Sequence, residues 1–123
     1  MGGKILIIDD DHDLLETMGS ILAYEGFEIH SADSVERGIE LIDKVVPDII
    51  LLDIMFPESK TRGFEAATEI KNSWPKLPII VLTAINREYA FDFTKENFKA
   101  DEFLNKPVRS AKLVEIIRKY VKQ

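Results

Sequence analysis

Lys4-Ile5-Leu6-Ile7-Ile8-Asp9-Asp10 reads as a five-residue strand with two carboxylates at its carboxyl end. Four of those five residues are apolar without alternation, as in a parallel sheet, where helices cover both faces of each strand. The pattern returns three times. Asp48-Ile49-Ile50-Leu51-Leu52 runs into Asp53, Ile79-Ile80-Val81-Leu82 runs into Thr83, and Glu102-Phe103-Leu104-Asn105 is followed by Lys106-Pro107. In open parallel sheets, residues just past the strand carboxyl ends line the functional crevice. An acid pair, a single acid, a hydroxyl and an amine are therefore expected at one edge of the sheet.

Between these runs the apolar spacing becomes helical. Leu14, Leu15, Met18, Ile21 and Leu22 predict a first helix that stops at Gly26. Residues 27–31 predict a short second strand. Ser34 is placed to cap a helix that buries Ile39, Leu41, Ile42, Val45 and Val46 until Pro47 breaks it. Phe64, Ala67 and Ile70 mark a third helix over about 63–72, and 87–98 reads as a fourth with a weaker apolar pattern. Ser110 is expected to cap a last helix with the stripe Leu113, Ile116, Ile117, Tyr120 and Val121. Five alternating strand and helix units predict an α/β fold, a flavodoxin-like (βα)5 three-layer sandwich around a five-stranded parallel sheet of order 2-1-3-4-5.

A length of 123 residues suits one domain, 1–123, with a single core. No cysteine is present, which excludes disulfides and thiolate metal sites. Met1-Gly2-Gly3 leads straight into the first strand, so no signal peptide is expected, and no apolar run reaches membrane-spanning length. The cytoplasm is the expected location. A formal charge of -6 argues against binding nucleic acid by this domain alone, since that affinity comes largely from basic groups on phosphates. The basic residues gather late, as Lys106, Arg109, Lys112, Arg118, Lys119 and Lys122, and are expected to form a solvated face with docking as the alternative.

Convergence of three acids has a cost. Two like charges about 4 Å apart repel by roughly 4 kcal/mol at an effective dielectric near 20. A cation relieves this, and a few oxygen ligands with room for water suit Mg²⁺. The lone acid Asp53 is the natural nucleophile, because carboxylates accept phosphoryl groups as mixed anhydrides. Positioning and charge neutralisation are most of what phosphoryl transfer requires, and Lys106 and Thr83 could supply both. A blander reading has Asp9 and Asp10 capping the first helix, a role that fits Asp11 and Asp13 better. His12 and His30, each without a second histidine at ligand spacing, are expected to be incidental, and Trp74 is expected to pack at a loop edge.

Four segments together resemble the receiver domain of two-component response regulators. They are Ile7-Ile8-Asp9-Asp10-Asp11, Leu51-Leu52-Asp53-Ile54-Met55, Val81-Leu82-Thr83-Ala84 and 100–107, ending in Asn105-Lys106-Pro107. The resemblance covers essentially the whole chain. It implies that Asp9, Asp10, Asp53 and the backbone carbonyl of Met55 bind Mg²⁺. It also implies that Asp53 takes a phosphoryl group from a sensor histidine kinase or phosphotransfer protein, with Thr83 and Lys106 contacting that group. The Lys106-Pro107 bond would be cis. Thr83 and Phe103 would form the switch that alters the surface of the 87–98 helix, the fifth strand and the last helix. That surface would engage an output domain, a downstream protein or a second copy in a homodimer. No output domain is expected within this chain. Such a protein is a phosphorelay signalling phosphoacceptor and no enzyme beyond its own phosphorylation and dephosphorylation. The latter is expected to be slow, because Met55 and Ile85 are apolar and cannot orient water.

The chain departs from the family pattern in three places. Glu58-Ser59-Lys60-Thr61-Arg62 lengthens the loop after Pro57 by two residues, Phe103 lacks the hydroxyl of the commoner tyrosine, and Asn97-Phe98-Lys99-Ala100 lacks a glycine. Two other functions compete. A pseudo-receiver would bind partners without ever taking phosphate. A phosphohydrolase of the haloacid-dehalogenase kind would use Asp9 as nucleophile, but Asp13 stands where it needs a small hydroxyl residue, and no aspartate follows Lys106.

Overall fold

A computed structural model describes residues 3–53, 62–83, 100–105 and 109–121. The strands are β1 (Lys4–Ile8), β2 (Glu28–Ala32), β3 (Ile49–Asp53), β4 (Ile79–Thr83) and β5 (Glu102–Asn105). The helices are α1 (His12–Tyr24), α2 (Val35–Val45), α3 (Arg62–Ser73) and α4 (Ser110–Tyr120). All strand pairs are parallel, in the order β2-β1-β3-β4-β5, as the sequence predicts. The predicted helix over 87–98 and the 58–61 part of the lengthened loop lie outside the described residues.

Strand alternation sends successive side chains to opposite faces, and this divides the interior in two. Leu6, Ile8, Ile50 and Leu52 pack with Val35 and Ile42 of α2 and Ala66, Ala67 and Ile70 of α3. Ile5, Ile7, Ile49 and Leu51 pack on the other face with Leu22 of α1 and with Leu113, Ile116 and Ile117 of α4. The continuous apolar runs thus fill both faces of a central sheet, and Ile5 to Ile8 and Ile49 to Leu52 are at most 1% exposed.

Local chemistry sets the helix ends. Asp11 caps α1 by accepting the Leu14 N–H at 3.1 Å, and Ser34 caps α2 by accepting the Arg37 N–H at 3.2 Å. Gly26 has a φ of +100°, which only glycine adopts without strain, and it turns the chain out of α1. The predicted cap Ser110 is instead the first helical residue of α4. Arg109 holds the cap position and makes no side-chain capping bond. Val46 also departs from expectation. It ends α2 with a φ of 53° and is 70% exposed, because the left-handed turn throws its side chain off the helix's buried side.

Strand 2 begins and ends one residue later than expected. Phe27 is buried, but its N–H bonds to the Leu22 carbonyl and closes α1 rather than joining the ladder. Trp74, partly buried, packs against the core beneath α2 and α3. Of the late basic residues, Lys112 and Lys119 are exposed as expected, while Arg118 pairs with Glu25 at 3.2 Å and lies over the Phe27 ring.

At the amino-terminal edge of the sheet, side chains fasten β5 to its neighbours. Asp101 Oδ2 accepts the Ile79 N–H at 2.9 Å and pairs with Lys71 at 2.7 Å, while the Asp101 N–H bonds to the Ile79 carbonyl. The Tyr120 hydroxyl donates to Glu102 at 2.5 Å. That hydrogen bond, with burial and the nearby negative charges, pushes the Tyr120 phenol up to about 12. An unfolded tyrosine titrates near about 10, so the folded state holds this proton more tightly. The contribution is complete below that value and is lost as pH rises through about 12. Urea midpoints measured across this alkaline range are expected to fall more steeply for the natural chain than for Tyr120→Phe. Parallel pH profiles would contradict the bond.

Candidate functional site

Strand register brings the predicted residues to one edge. Ile8 pairs with Leu52 across β1 and β3, so Asp9 and Asp53 each stand one step past the same rung on the two central strands. Adjacent strands lie about 4.8 Å apart. Asp53 in turn pairs with Leu82, and Thr83, the next residue, pairs with Asn105. Asp9, Asp53 and Thr83 therefore end neighbouring strands β1, β3 and β4 at the carboxyl edge. Lys106 follows β5 in sequence.

Asp9, at this edge, is buried, only 2% exposed. Its Oδ1 accepts the Asp11 N–H at 3.0 Å, and its own N–H bonds to the Ala32 carbonyl. A carboxylate held this way is fixed before any ligand arrives, at the mouth of the helix that Asp11 caps. Asp10 beside it is half-buried. The capping role thus falls to Asp11.

Asp53, Thr83 and Phe103 are placed by their backbone, and the roles expected of their side chains lie outside the described residues. So do Met55, Ile85, Lys106 and Pro107, and with them the fourth metal ligand, the amine and the cis peptide bond. Among the described residues no group of three or more histidine, aspartate or glutamate side chains gathers to hold a metal. Asp9 and Asp10 would need the Asp53 carboxylate to complete such a set.

One acid at this edge escaped the sequence reading. Ile8 pairs with Ala32, so Asp33 stands level with Asp9 on the neighbouring strand β2. Its carboxylate meets His12 Nε2 at 3.1 Å, which gives His12 a partner. The signal was Ala32-Asp33, an apolar residue running into an acid, hidden by ending strand 2 at Ser31. His30 likewise faces a carboxylate, Glu28, at 2.7 Å, and that hydrogen bond holds Glu28 below its ordinary range.

The family match follows the same frame: residues 5–118 match the response regulator receiver domain. The chain belongs to the response regulator receiver family. Receiver domains of this family are signalling domains, and this one is similar to the regulatory protein AtoC of Escherichia coli K12, at 30% identity over 97% of the chain. It is 36% identical, over 94% of its length, to the transcriptional regulatory protein CpxR of Klebsiella pneumoniae. The receiver spans 27% of the first relative and 47% of the second, so each carries much additional chain. Among solved structures it resembles a CheY-like receiver from Methanospirillum hungatei, with a TM-score of 0.83 and 28% identity over 94% of this chain and 90% of that one. A receiver from Clostridium thermocellum gives a TM-score of 0.82 and 29% identity, covering 95% and 92% of the two chains. None of these similarities favours the phosphohydrolase or the pseudo-receiver. No helix among the described residues is long and apolar enough to cross a membrane.

Proposed function

We propose that this receiver accepts a phosphoryl group on Asp53 from a sensor histidine kinase or phosphotransfer protein and passes the change to a partner or output domain. The observation that carries this reading is the register that sets Asp9 and Asp53 on one rung at the carboxyl edge of the two central strands. An Asp53 carboxylate oxygen would attack phosphorus, forming an acyl phosphate as the bond to the donor's histidine nitrogen breaks and that nitrogen takes a proton.

Asp9, Asp10 and Asp53, with the Met55 carbonyl, offer the all-oxygen donor set that suits Mg²⁺. Bound there, the ion would neutralise charge on the phosphoryl oxygens. Asp9, buried and fixed by the Asp11 N–H, would hold its place in that set without reorganising. Lys106 would stand opposite as a point charge, and Thr83 would donate a hydrogen bond to a phosphoryl oxygen. Thr83 and Phe103, the latter on β5, would then move together, and the Lys106-Pro107 bond is proposed to be cis. The chain would act as one domain, 1–123, in the cytoplasm, and would bind neither nucleic acid nor membrane itself. Its switched face could also hold a second copy.

Intact mass after incubation with Mg²⁺ and acetyl phosphate tests the reading. One added phosphoryl group is expected on the natural chain, dependent on the metal and absent from Asp53→Ala. An adduct that persists in the variant would move the nucleophile to Asp9. No adduct, together with no binding of beryllofluoride, would leave an interaction module that takes no phosphate.

A further inference from the structure

Helices α2 and α3 leave a seam that the phosphoryl site does not use. A cleft of about 590 Å³ opens between Glu36 and Ile39 of α2 and Glu69 and Asn72 of α3, with Ser73 and Trp74 at its end. A second, of about 550 Å³, continues past the same Ser73 and Trp74 to Asp43, Val46 and Pro75. Ser73 and Trp74 thus line both hollows. The second reaches Pro47, Asp48 and Pro78, which precede β3 and β4, at the edge of the sheet opposite Asp9 and Asp53.

Two properties of the trough say what would fill it. Its apolar surface comes from Ile39, Val46, Trp74 and Pro75. Val46 is 70% exposed at a φ of 53°, a conformation that strains a β-branched residue, so an apolar side chain is held out to solvent at a conformational cost. Among the described residues the charged ones lining it are Glu36, Glu69, Asp43 and Asp48 with Lys76, a steeper acidic excess than the 22 acids to 16 bases of the whole chain. A cleft lined by apolar and acidic side chains is complementary to a helix with one apolar and one basic face. The 11 residues of α2 make the seam about 16 Å long, roughly three turns of a guest helix. This chain's own basic helix, α4, does not fit, because its buried residues Leu113, Val114, Ile116 and Ile117 are spent on the core.

We propose that the α2–α3 seam is a docking groove for a cationic amphipathic helix of a partner protein. It runs from the start of α2, near the carboxyl edge, to the opposite edge of the sheet, and it holds or fails independently of whether Asp53 is phosphorylated.

Trp74 is the single tryptophan of the chain, so its emission reports on the groove directly. The probe is a peptide of about 18 residues, long enough to form a helix, with leucine on one face, lysine on the other and no aromatic residue. Titration into the unphosphorylated chain is expected to give a saturable blue shift, with amide shift changes confined to α2, α3 and 74–78. Asp43→Lys combined with Glu69→Lys is expected to weaken binding about tenfold or more. Val46→Gly relieves the left-handed strain, so it is expected to raise the melting temperature while also weakening binding, which separates docking from folding. Four results would each overturn the proposal: no saturable shift, equal binding of a peptide with glutamate for lysine, amide changes centred on Asp9 and Asp10, or a concentration-dependent shift without peptide. The last would assign the seam to a second copy of this chain.

Discussion

Gly38→Val is expected to lower the stability of the domain by about 3 kcal/mol, at the upper end of overpacking costs. Gly38 sits on the buried face of α2 against β1. A Cβ built there would lie 2.4 Å from Ile8 Cδ1 and 2.7 Å from Ile8 Cγ1. Ile8 is fully buried between Leu52 and Ala32 on its neighbouring strands, so it has nowhere to retreat. Alanine would meet the same clash but recover up to about 1 kcal/mol of helix propensity, making it the milder change. The effect should also reach the site, because Ile8 immediately precedes Asp9. Chemical denaturation measures the loss. A valine variant within about 0.5 kcal/mol of the natural chain, the range of a neutral surface change, would mean that α2 can shift away from the sheet without penalty.

Asp101→Ala is expected to cost a similar amount, about 3 kcal/mol, for a different reason. The Asp101 carboxylate satisfies the N–H of Ile79, itself 0% exposed, and pairs with Lys71, whose side chain is only 16% exposed. Truncation leaves a buried donor without an acceptor and a cation with little water. Asp101→Asn separates the two contributions: the amide oxygen still accepts from Ile79, while the ion pair is lost. We expect asparagine to recover about half of the penalty, since an unmade buried hydrogen bond costs about as much as breaking a pair that is partly open to water. If both variants unfold at the same denaturant concentration as the natural chain, Asp101 is not the fastening that its distances indicate.

Much of this molecule could be read before it was seen, because parallel strands covered on both faces leave unbroken apolar runs. β1 and β4 fall where those runs lie, β3 is displaced from its run by one residue, and the acids and hydroxyl at their ends identify the edge. Elsewhere burial and hydrogen bonding part company. Phe27 is buried like a strand residue yet serves the end of α1. Val46 continues the helical spacing, but the left-handed turn ahead of Pro47 ends the helix first. Ser110 looks like a cap by residue type, yet α4 begins at it. The Lys71–Asp101–Ile79 fastening depends on register between elements distant in sequence, which no local pattern encodes. The roles proposed for the Asp53 and Thr83 side chains rest on motif order and strand register together, and the one proposed for Lys106 on motif order.

The division of the interior by the sheet gives the chain two nearly separate histories of change. Leu6 and Ile8 answer to α2 and α3, while Ile5 and Ile7 answer to α1 and α4. Side chains that share no partner and lie more than about 7–10 Å apart, as across the two layers of helices, combine their effects nearly additively. One half of the molecule can therefore be rewritten, by mutation or by design, while the other keeps its shape. The backbone of the central strands, with Asp9 and Asp53 at its end, is what both halves must preserve in common.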